Sequence, residues 1–255
     1  MRVFVLAATI LATSASCAAE TSLVSAYSLG AGAGITSMRG DLLKSSNQAA
    51  IGGGIDFHSE SIFFLARGYT ATDNSGSGMD IAVGAGNRWI KGGLAYSLSS
   101  ASLPTQAGPV AVASGPLAGI VSADITRESQ VEVSAVAPYL RITPVHTRDT
   151  VLNLDLWYGL SASGKEKIPV RVFGLDGHLH TEPTKAGGMM GGAAQLTHRV
   201  SRNIALFTSY LWRTARQDGG KARISGDFLG LYEPVQVPDL KLTNHALLIG
   251  VSLVN

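Results

Sequence analysis

The feature that most constrains this chain is a recurring two-residue alternation of apolar with small or polar side chains. Successive side chains of a β-strand point to opposite faces, so such a pattern predicts a strand with one face against an apolar medium. Between positions 150 and 162 the apolar set is Leu152, Leu154, Leu156, Tyr158 and Leu160, and the opposite set is Val151, Asn153, Asp155, Trp157, Gly159 and Ser161. Residues 88–99 repeat it, with Ile90, Leu94, Tyr96 and Leu98 against Trp89, Lys91, Gly93, Ala95 and Ser97.

Ten segments of this kind follow one another, and none shows the caps and 3.6-residue stripe of a helix. They run approximately over 23–36, 48–57, 61–71, 79–86, 88–99, 131–144, 149–162, 186–198, 203–216 and 240–254. Their connections alternate between long and short. The long ones are 37–47, 72–78, 100–130, 163–185 and 217–239, and the short ones are 58–60, 87, 145–148 and 199–202. An even number of strands places both ends of the chain on the same side.

The composition indicates what the apolar faces contact. Charged residues are 15% of the chain, against a usual share of about a quarter, and the chain has 30 glycines. This suits a surface that faces lipid, where a sheet cannot leave edge amides and carbonyls unpaired and therefore closes. We predict an all-β fold: one antiparallel up-and-down transmembrane β-barrel of about ten strands, with eight or twelve as alternatives. The net charge of +2 lacks the strong basic bias of a nucleic-acid-binding protein, so no nucleic-acid partner is expected.

The first residues resemble an export signal, with Arg2 followed by an apolar run from Val3 to Ala12 and small residues up to Glu20. We predict a signal peptide over 1–19 and the barrel domain over 20–255. The single cysteine, Cys17, would then leave with the signal. The alternative is a lipoprotein, in which Cys17 is the acylated first residue.

The last predicted strand places Leu247, Ile249, Val251 and Leu253 at alternate positions. With the signal and the alternation, this resembles bacterial outer-membrane β-barrel proteins, whose final strand carries an assembly signal. The usual terminal aromatic residue is replaced by Asn255. The resemblance is architectural and selects no subfamily. It implies a Gram-negative outer-membrane location, contact with outer-membrane lipid, and recognition of the final strand by the assembly machinery.

The run from Gly92 to Ala123 contains no charged residue, so a membrane helix is an alternative there. Pro104, Pro109 and Pro116 would break such a helix. A strand followed by a long loop, or by a hairpin turning near 114–116, is the better interpretation. By resemblance to porins, this loop could cap or constrict the barrel.

The same alternation predicts which residues line the interior. They are Asp56, Arg67, Asp80, Lys91, Tyr139, Arg141, Asn153, Asp155, Gln195 and Arg213. Charges of both signs predict a structural ion-pair network, and the alternative is a polar pathway for small solutes. Inward positions of the first, second and fourth strands are mostly small: Gly30, Gly32, Gly34, Ala50, Gly52, Gly54, Ala82 and Gly84. Either bulky inward residues of later strands, such as Trp157 and Phe207, fill that space, or a one-sided cavity remains.

Asp176, His178 and His180 lie together in the sequence, and a carboxylate beside an imidazole can activate water. Surface proteases of the omptin family use acidic and histidine residues near their outer rim, which this run resembles. Asp176-Gly177 also fits a hairpin turn, which explains the aspartate without catalysis. The two histidines lack a third ligand for a metal, and no metal or other cofactor is expected.

Other motifs are weaker. Arg39-Gly40-Asp41 spells an integrin-binding tripeptide but is also ordinary turn chemistry. His58, His146 and His198 are predicted near strand ends, at the surface. The segment from Ala137 to Arg141 resembles autotransporter translocator barrels, which would need a separate partner chain.

We therefore predict a non-enzymatic outer-membrane barrel, acting as a narrow channel or as a structural and surface-interaction barrel. Its possible partners are a small solute or a host surface ligand. The alternatives are the rim hydrolase and the translocator.

Overall fold

The computed structural model describes residues 26–40, 43–104, 121–123, 128–172, 175–183, 187–217, 220–226, 235–237 and 240–255. Fourteen strands lie within these ranges. They are β1 (Ala26–Gly40), β2 (Leu43–His58), β3 (Ile62–Ala71), β4 (Gly76–Gly86), β5 (Ile90–Pro104), β6 (Val121–Ala123), β7 (Glu128–His146), β8 (Thr150–Val172), β9 (Leu175–Pro183), β10 (Gly187–Arg199), β11 (Ile204–Gln217), β12 (Gly220–Gly226), β13 (Val235–Val237) and β14 (Leu240–Val254).

Ten of these strands form a closed ring, which confirms the predicted barrel. The order of neighbours around it is β1, β2, β3, β4, β5, β7, β8, β10, β11 and β14, and β14 pairs again with β1. Every pairing is antiparallel. Each of the ten segments predicted from the alternation overlaps one of these strands. Closure leaves no unpaired sheet edge within the ring, as a lipid environment requires.

The two ends of the barrel differ. At one end β2–β3, β4–β5, β7–β8 and β10–β11 are joined by turns of three or four residues, and we name this the short-turn end. The first described residues of β1 and the last of β14 also lie there, because Ser28 pairs with Val254. The opposite end carries three longer connections, β5–β7, β8–β10 and β11–β14, beside the short β1–β2 and β3–β4 connections, and is named the long-connection end.

Two predicted long loops, 37–47 and 72–78, are wrong, and a third, 163–185, is mostly strand in β8 and β9. Residues 37–47 are mostly strand, since Ser37 pairs with Asn47 and the β1–β2 pairing continues to Gly40 and Leu43. Residues 72–78 reduce to a turn at 72–75, because β4 already begins at Gly76. Apart from Met38, Leu42 and Leu43, residues 37–47 and 72–78 are polar or small, so they lack the contrast that marks a strand in lipid. Backbone pairing needs no such contrast, and it continues past the apolar part of the barrel.

Further strands extend the sheet beyond the long-connection end. The upper part of β8 pairs with β9, β9 pairs with β12, and β12 pairs with β13. We name residues 166–172 of β8 together with β9, β12 and β13 the sheet extension. The predicted turn at Asp176-Gly177 is wrong in position: both residues lie in β9, where Asp176 pairs with Arg171 and Gly177 with Val170. The hairpin closes between Val172 and Leu175, where the sequence supplies a second glycine, Gly174.

The outward face of the barrel is apolar along its middle. Exposed side chains there include Leu29, Ile35, Ile51, Val83, Leu94, Val136, Leu156, Leu206, Ile249 and Val251. In the described part of the barrel wall, the outward charged side chains lie towards the long-connection end: Glu132, Lys165, Arg216 and Lys241. Apolar outward positions bounded by charge match the lipid face of a transmembrane barrel.

The turn between β4 and β5 differs from the sequence prediction. Trp89, predicted to point inward, lies in the turn before β5 and is half exposed, with the Arg88 guanidinium 5.0 Å from its ring. The inward alternation starts one step later, at Lys91.

The part of the uncharged run from Gly92 to Pro104 is strand β5, not helix. The described chain contains no helix long and apolar enough to cross a membrane. The predicted hairpin near 114–116 and the signal at 1–19 lie outside the described residues.

Candidate functional site

Three arginines and three aspartates form one alternating series of ion pairs across the barrel interior. Each comes from a different strand, because inward positions of many strands converge on a narrow lumen. In order across the barrel they are Arg213, Asp80, Arg67, Asp155, Arg141 and Asp56. All six side chains are buried. We name these six residues the ion-pair chain.

Asp80 holds two of the arginines. Arg213 Nη2 lies 2.8 Å from Asp80 Oδ2, and Arg213 Nε donates to Oδ1 at 3.1 Å. Arg67 Nε donates to Asp80 Oδ2 at 3.2 Å. Ser97, directly opposite Asp80 on β5, donates its hydroxyl to Oδ1 at 2.7 Å. Asp80 is fully buried, so these donors replace the water that the carboxylate lost.

Asp155 joins the two halves of the chain. Arg67 Nη1 donates to Asp155 Oδ2 at 2.6 Å, and Arg141 Nε donates to Oδ1 at 2.8 Å. Arg141 Nη1 reaches both oxygens of Asp56, at 3.0 and 2.9 Å. His58 Nδ1 lies 3.8 Å from Asp56 Oδ1 at the short-turn end. Arg141 therefore uses its planar fork to hold two carboxylates from two strands, with donors in a fixed geometry that a lysine ammonium does not have.

Aromatic rings cover the arginines. Arg141 lies 5.0 Å from the ring of Phe63, Arg67 5.7 Å from Trp157, and Arg213 5.2 Å from Tyr69. These contacts are attractive because a guanidinium faces the negative side of a ring. Aromatic side chains thus fill part of the space around the charges.

The small inward residues leave the space that these large side chains occupy. A Cβ added at Gly30 would lie 2.9 Å from Cε1 of Phe207, and one at Gly191 would overlap the indole of Trp157. At Gly78 it would overlap the guanidinium of Arg213. Of the two alternatives drawn from the sequence, filling by bulky side chains agrees with these contacts. A cavity of about 40 Å³ remains, lined in part by Gly54, Gln195 and Phe207.

An apolar layer lies above the ion-pair chain, towards the long-connection end. Its buried members are Ala101, Val131, Val133, Ala135, Ala162, Met189, Ala215 and Leu242. The order along β5 fixes the layering, since Lys91 comes first, Ser97 contacts Asp80, and Ala101 belongs to the apolar layer. A solute passing along this side of the lumen would meet buried charge and then apolar side chains.

A larger cavity opens at the short-turn end, and we name it the short-turn cavity. Its volume is about 350 Å³. Its lining comprises His58, Ser59, Glu60, Arg88, Lys91, Arg141, Thr143, His146, Val151 and Asn153. The Thr143 hydroxyl donates to Asn153 Oδ1 at 2.9 Å. Positively charged residues predominate in this lining.

The structure brings the predicted interior residues together. Nine are buried inside the barrel, and Gln195 is half-buried beside the small cavity. Sequence analysis missed Phe63, Tyr69 and Thr143, which share inward positions with the charged residues, whereas Ser97 lies inward as the alternation predicts. The alternation itself was the signal for them. It also assigned His58 and His146 to the surface, whereas both line the short-turn cavity.

The candidate hydrolase residues lie apart from this interior. Asp176, His178 and His180 occupy alternate positions of β9 and so share one face of the sheet extension. Asp176 is exposed. In the described part of the chain, no group of three metal-ligating side chains comes together. Of the integrin-binding tripeptide, Arg39 and Gly40 end β1, and Asp41 lies outside the described residues.

Comparison with known proteins identifies the type of fold but does not identify an activity. No protein-family model matches the chain, and no curated protein matches it. Among solved structures, the outer-membrane protease OmpT of Escherichia coli is similar with a TM-score of 0.63 at 12% identity, covering 92% of this chain and 99% of OmpT. The attachment invasion locus protein Ail of Yersinia pestis gives 0.36 at 12% identity, over 90% and 98% of the two chains. Neisserial surface protein A gives 0.33 at 10% identity, over 89% and 97%. The likeness to OmpT confirms the outer-membrane type of barrel fold and, at this identity, carries no activity with it.

Proposed function

We propose that this chain is a non-enzymatic outer-membrane barrel, closed to solutes in the state described, which serves as a structural and surface-interaction barrel. The observation that carries the proposal is the filled interior. The charges of the ion-pair chain balance one another, and the apolar layer, from β5, β7, β8, β10, β11 and β14, adds side chains to the same lumen. Of the two predicted roles, channel and surface barrel, this interior favours the second.

The orientation follows from the ends of the barrel. Outer-membrane barrels have short periplasmic turns and longer extracellular connections. The short-turn end would therefore face the periplasm, and the sheet extension would stand outside the cell. Outer-membrane lipid would contact the apolar outward face, and the assembly machinery would recognise β14.

Opening a path would cost several buried interactions at once. A solute must displace Arg67 and Arg141 from Asp155 and then part the side chains of the apolar layer. Breaking one buried ion pair costs about 3 to 5 kcal/mol, since it leaves a charge without a partner. We infer that such a path stays closed unless another event rearranges the interior.

Planar-bilayer recording tests this proposal. The purified, folded protein should insert and show no stepwise conductance at any applied voltage, because no continuous water-filled path crosses the ion-pair chain and the apolar layer. A porin in the same membranes shows that insertion events are detected. Reproducible conductance steps from the native protein would contradict the closed barrel and restore the narrow channel.

The rim hydrolase remains the second candidate on one observation. Asp176 and His178 share a face of β9 in the part of the molecule assigned to the cell surface. The discriminating measurement is peptide hydrolysis by the native protein and by Asp176→Ala. The translocator role is less favoured, because an unfolded chain needs a wider path than a solute does.

A further inference from the structure

Among the buried residues that the structure describes, the barrel interior holds one more cation than carboxylate. Its predicted charged residues are Arg67, Lys91, Arg141 and Arg213 against Asp56, Asp80 and Asp155. The ion-pair chain uses all three carboxylates and all three arginines. Lys91 is therefore the cation left over.

Lys91 occupies an unfavourable place for an ammonium group. Its side chain is 5% exposed, and in the described part of the chain it makes no hydrogen bond or ion pair. Its cross-strand neighbour on β7 is Arg141, a second cation. Like charges opposite each other destabilise a sheet, and a buried cation without an anion is costly. A ligand that supplies negative charge would relieve both costs.

The short-turn cavity gives such a ligand access to Lys91. Lys91, Arg88, Arg141, His58 and His146 all line it. Arg88 donates through Nη2 to the carbonyl oxygen of His146 at 3.2 Å, which holds the guanidinium at the cavity. A volume of about 350 Å³ is ample for a small molecule with its water, since a water molecule takes about 30 Å³.

Two carboxylates are near enough to be weighed against a ligand. Asp56 is already shared by Arg141 and His58. Glu60 also lines the cavity, but it lies in the exposed turn between β2 and β3. Neither carboxylate pairs with Lys91 in the structure.

We propose that the short-turn cavity binds a small soluble oxyanion, a phosphate or a carboxylate, with Lys91 as its principal ligand and Arg88 at its mouth. A tetrahedral or planar oxyanion accepts several hydrogen bonds, and bonds between ionised partners are the strong ones. The site does not depend on whether the barrel conducts, so conductance and binding are separate measurements.

Calorimetric titration of the folded protein in micelles tests the site, with inorganic phosphate and acetate as separate probes. We expect at least one to bind, and Lys91→Gln to weaken that binding by about tenfold or more, as loss of a charge-assisted hydrogen bond implies. Lys91→Arg should retain most of it. Lys241→Gln, which removes an exposed lysine from the outward face, is the matched control and should leave it unchanged.

Folding of each variant is checked by the shift of its gel band between unheated and heated samples. If the native protein binds neither probe, or if folded Lys91→Gln binds as tightly as the native protein, the proposal is overturned. Binding that appears only in Glu60→Gln would identify Glu60 as the partner of Lys91 and would overturn it too.

Discussion

Individual carboxylates in the barrel interior each hold more than one cation. Asp80 contacts Arg67 and Arg213, and Asp155 contacts Arg67 and Arg141. Removing one of these carboxylates therefore takes a partner from two buried arginines at once. The cost of a single change should exceed that of the same change at the surface, where a salt bridge is worth about 1 kcal/mol or less.

Asp80→Asn should lower the free energy of unfolding by about 3 to 5 kcal/mol, because Arg213 loses its only carboxylate partner in the described structure. Denaturant unfolding in lipid vesicles measures it. Asp149→Asn, in the exposed turn between β7 and β8, is the matched control and should change little. The double variant Asp80→Asn with Arg213→Met should recover part of the loss. A single variant as stable as the native protein would argue against the ion-pair chain.

The sequence predicted which individual residues point into the interior, but it did not predict which side chains they contact. Arg67 and Asp80 face each other on neighbouring strands, as do Arg141 and Asp155, so knowledge of register would have predicted these pairs. The bond from Arg141 to Asp56 joins residues 85 positions apart on strands that are not neighbours. It depends on the width of the lumen and the reach of a side chain. Alternation along one strand contains neither quantity.

The assignment of the barrel to a membrane can be tested on a single strand, because its outward residues lie at different heights. On β5 the outward residues Ile90 and Leu94 are exposed to similar extents, 51% and 59%, but they lie at different heights. Ile90 begins the strand at the short-turn end, whereas Leu94 lies nearer its middle, opposite Val83 and Pro138. In water the two positions would be equivalent, and in a bilayer they are not.

Leu94→Arg should cost about 2 to 4 kcal/mol of unfolding free energy in bilayers, whereas Ile90→Arg should cost about 0 to 1 kcal/mol, because the penalty for a lipid-facing arginine falls towards the interface. Reversible unfolding from vesicles measures both. Equal costs for the two variants would be evidence that the outward face does not meet hydrocarbon.

The elements also show where alternation stops being informative. All ten barrel strands were found because lipid on one side imposes a strict two-residue contrast. The upper part of β8 and strands β9, β12 and β13 were assigned to loops. Beyond the membrane a strand meets water on one or both faces, so its sequence need not alternate. Hairpin pairing there follows backbone hydrogen bonds and turn residues, whose positions the sequence leaves ambiguous.

At the scale of the whole molecule, the barrel is asymmetric along its axis. One end has turns of three or four residues and a positively lined cavity, and the other has an apolar layer and the sheet extension. Closure by β1 with β14 and by β8 with β10 fixes this asymmetry in the fold. A surface role for the sheet extension therefore requires a single orientation in the membrane.

Cysteine labelling in intact cells tests that orientation. Asp176→Cys, exposed on β9, should react with a membrane-impermeant maleimide, because the sheet extension would stand outside the outer membrane. Asp149→Cys, equally exposed in a short turn, should react only after the outer membrane is permeabilised. The unaltered protein sets the background, since Cys17 would contribute to it if retained. Labelling of the turn but not of β9 in intact cells would contradict this orientation, and it would indicate that the short-turn cavity faces the cell surface.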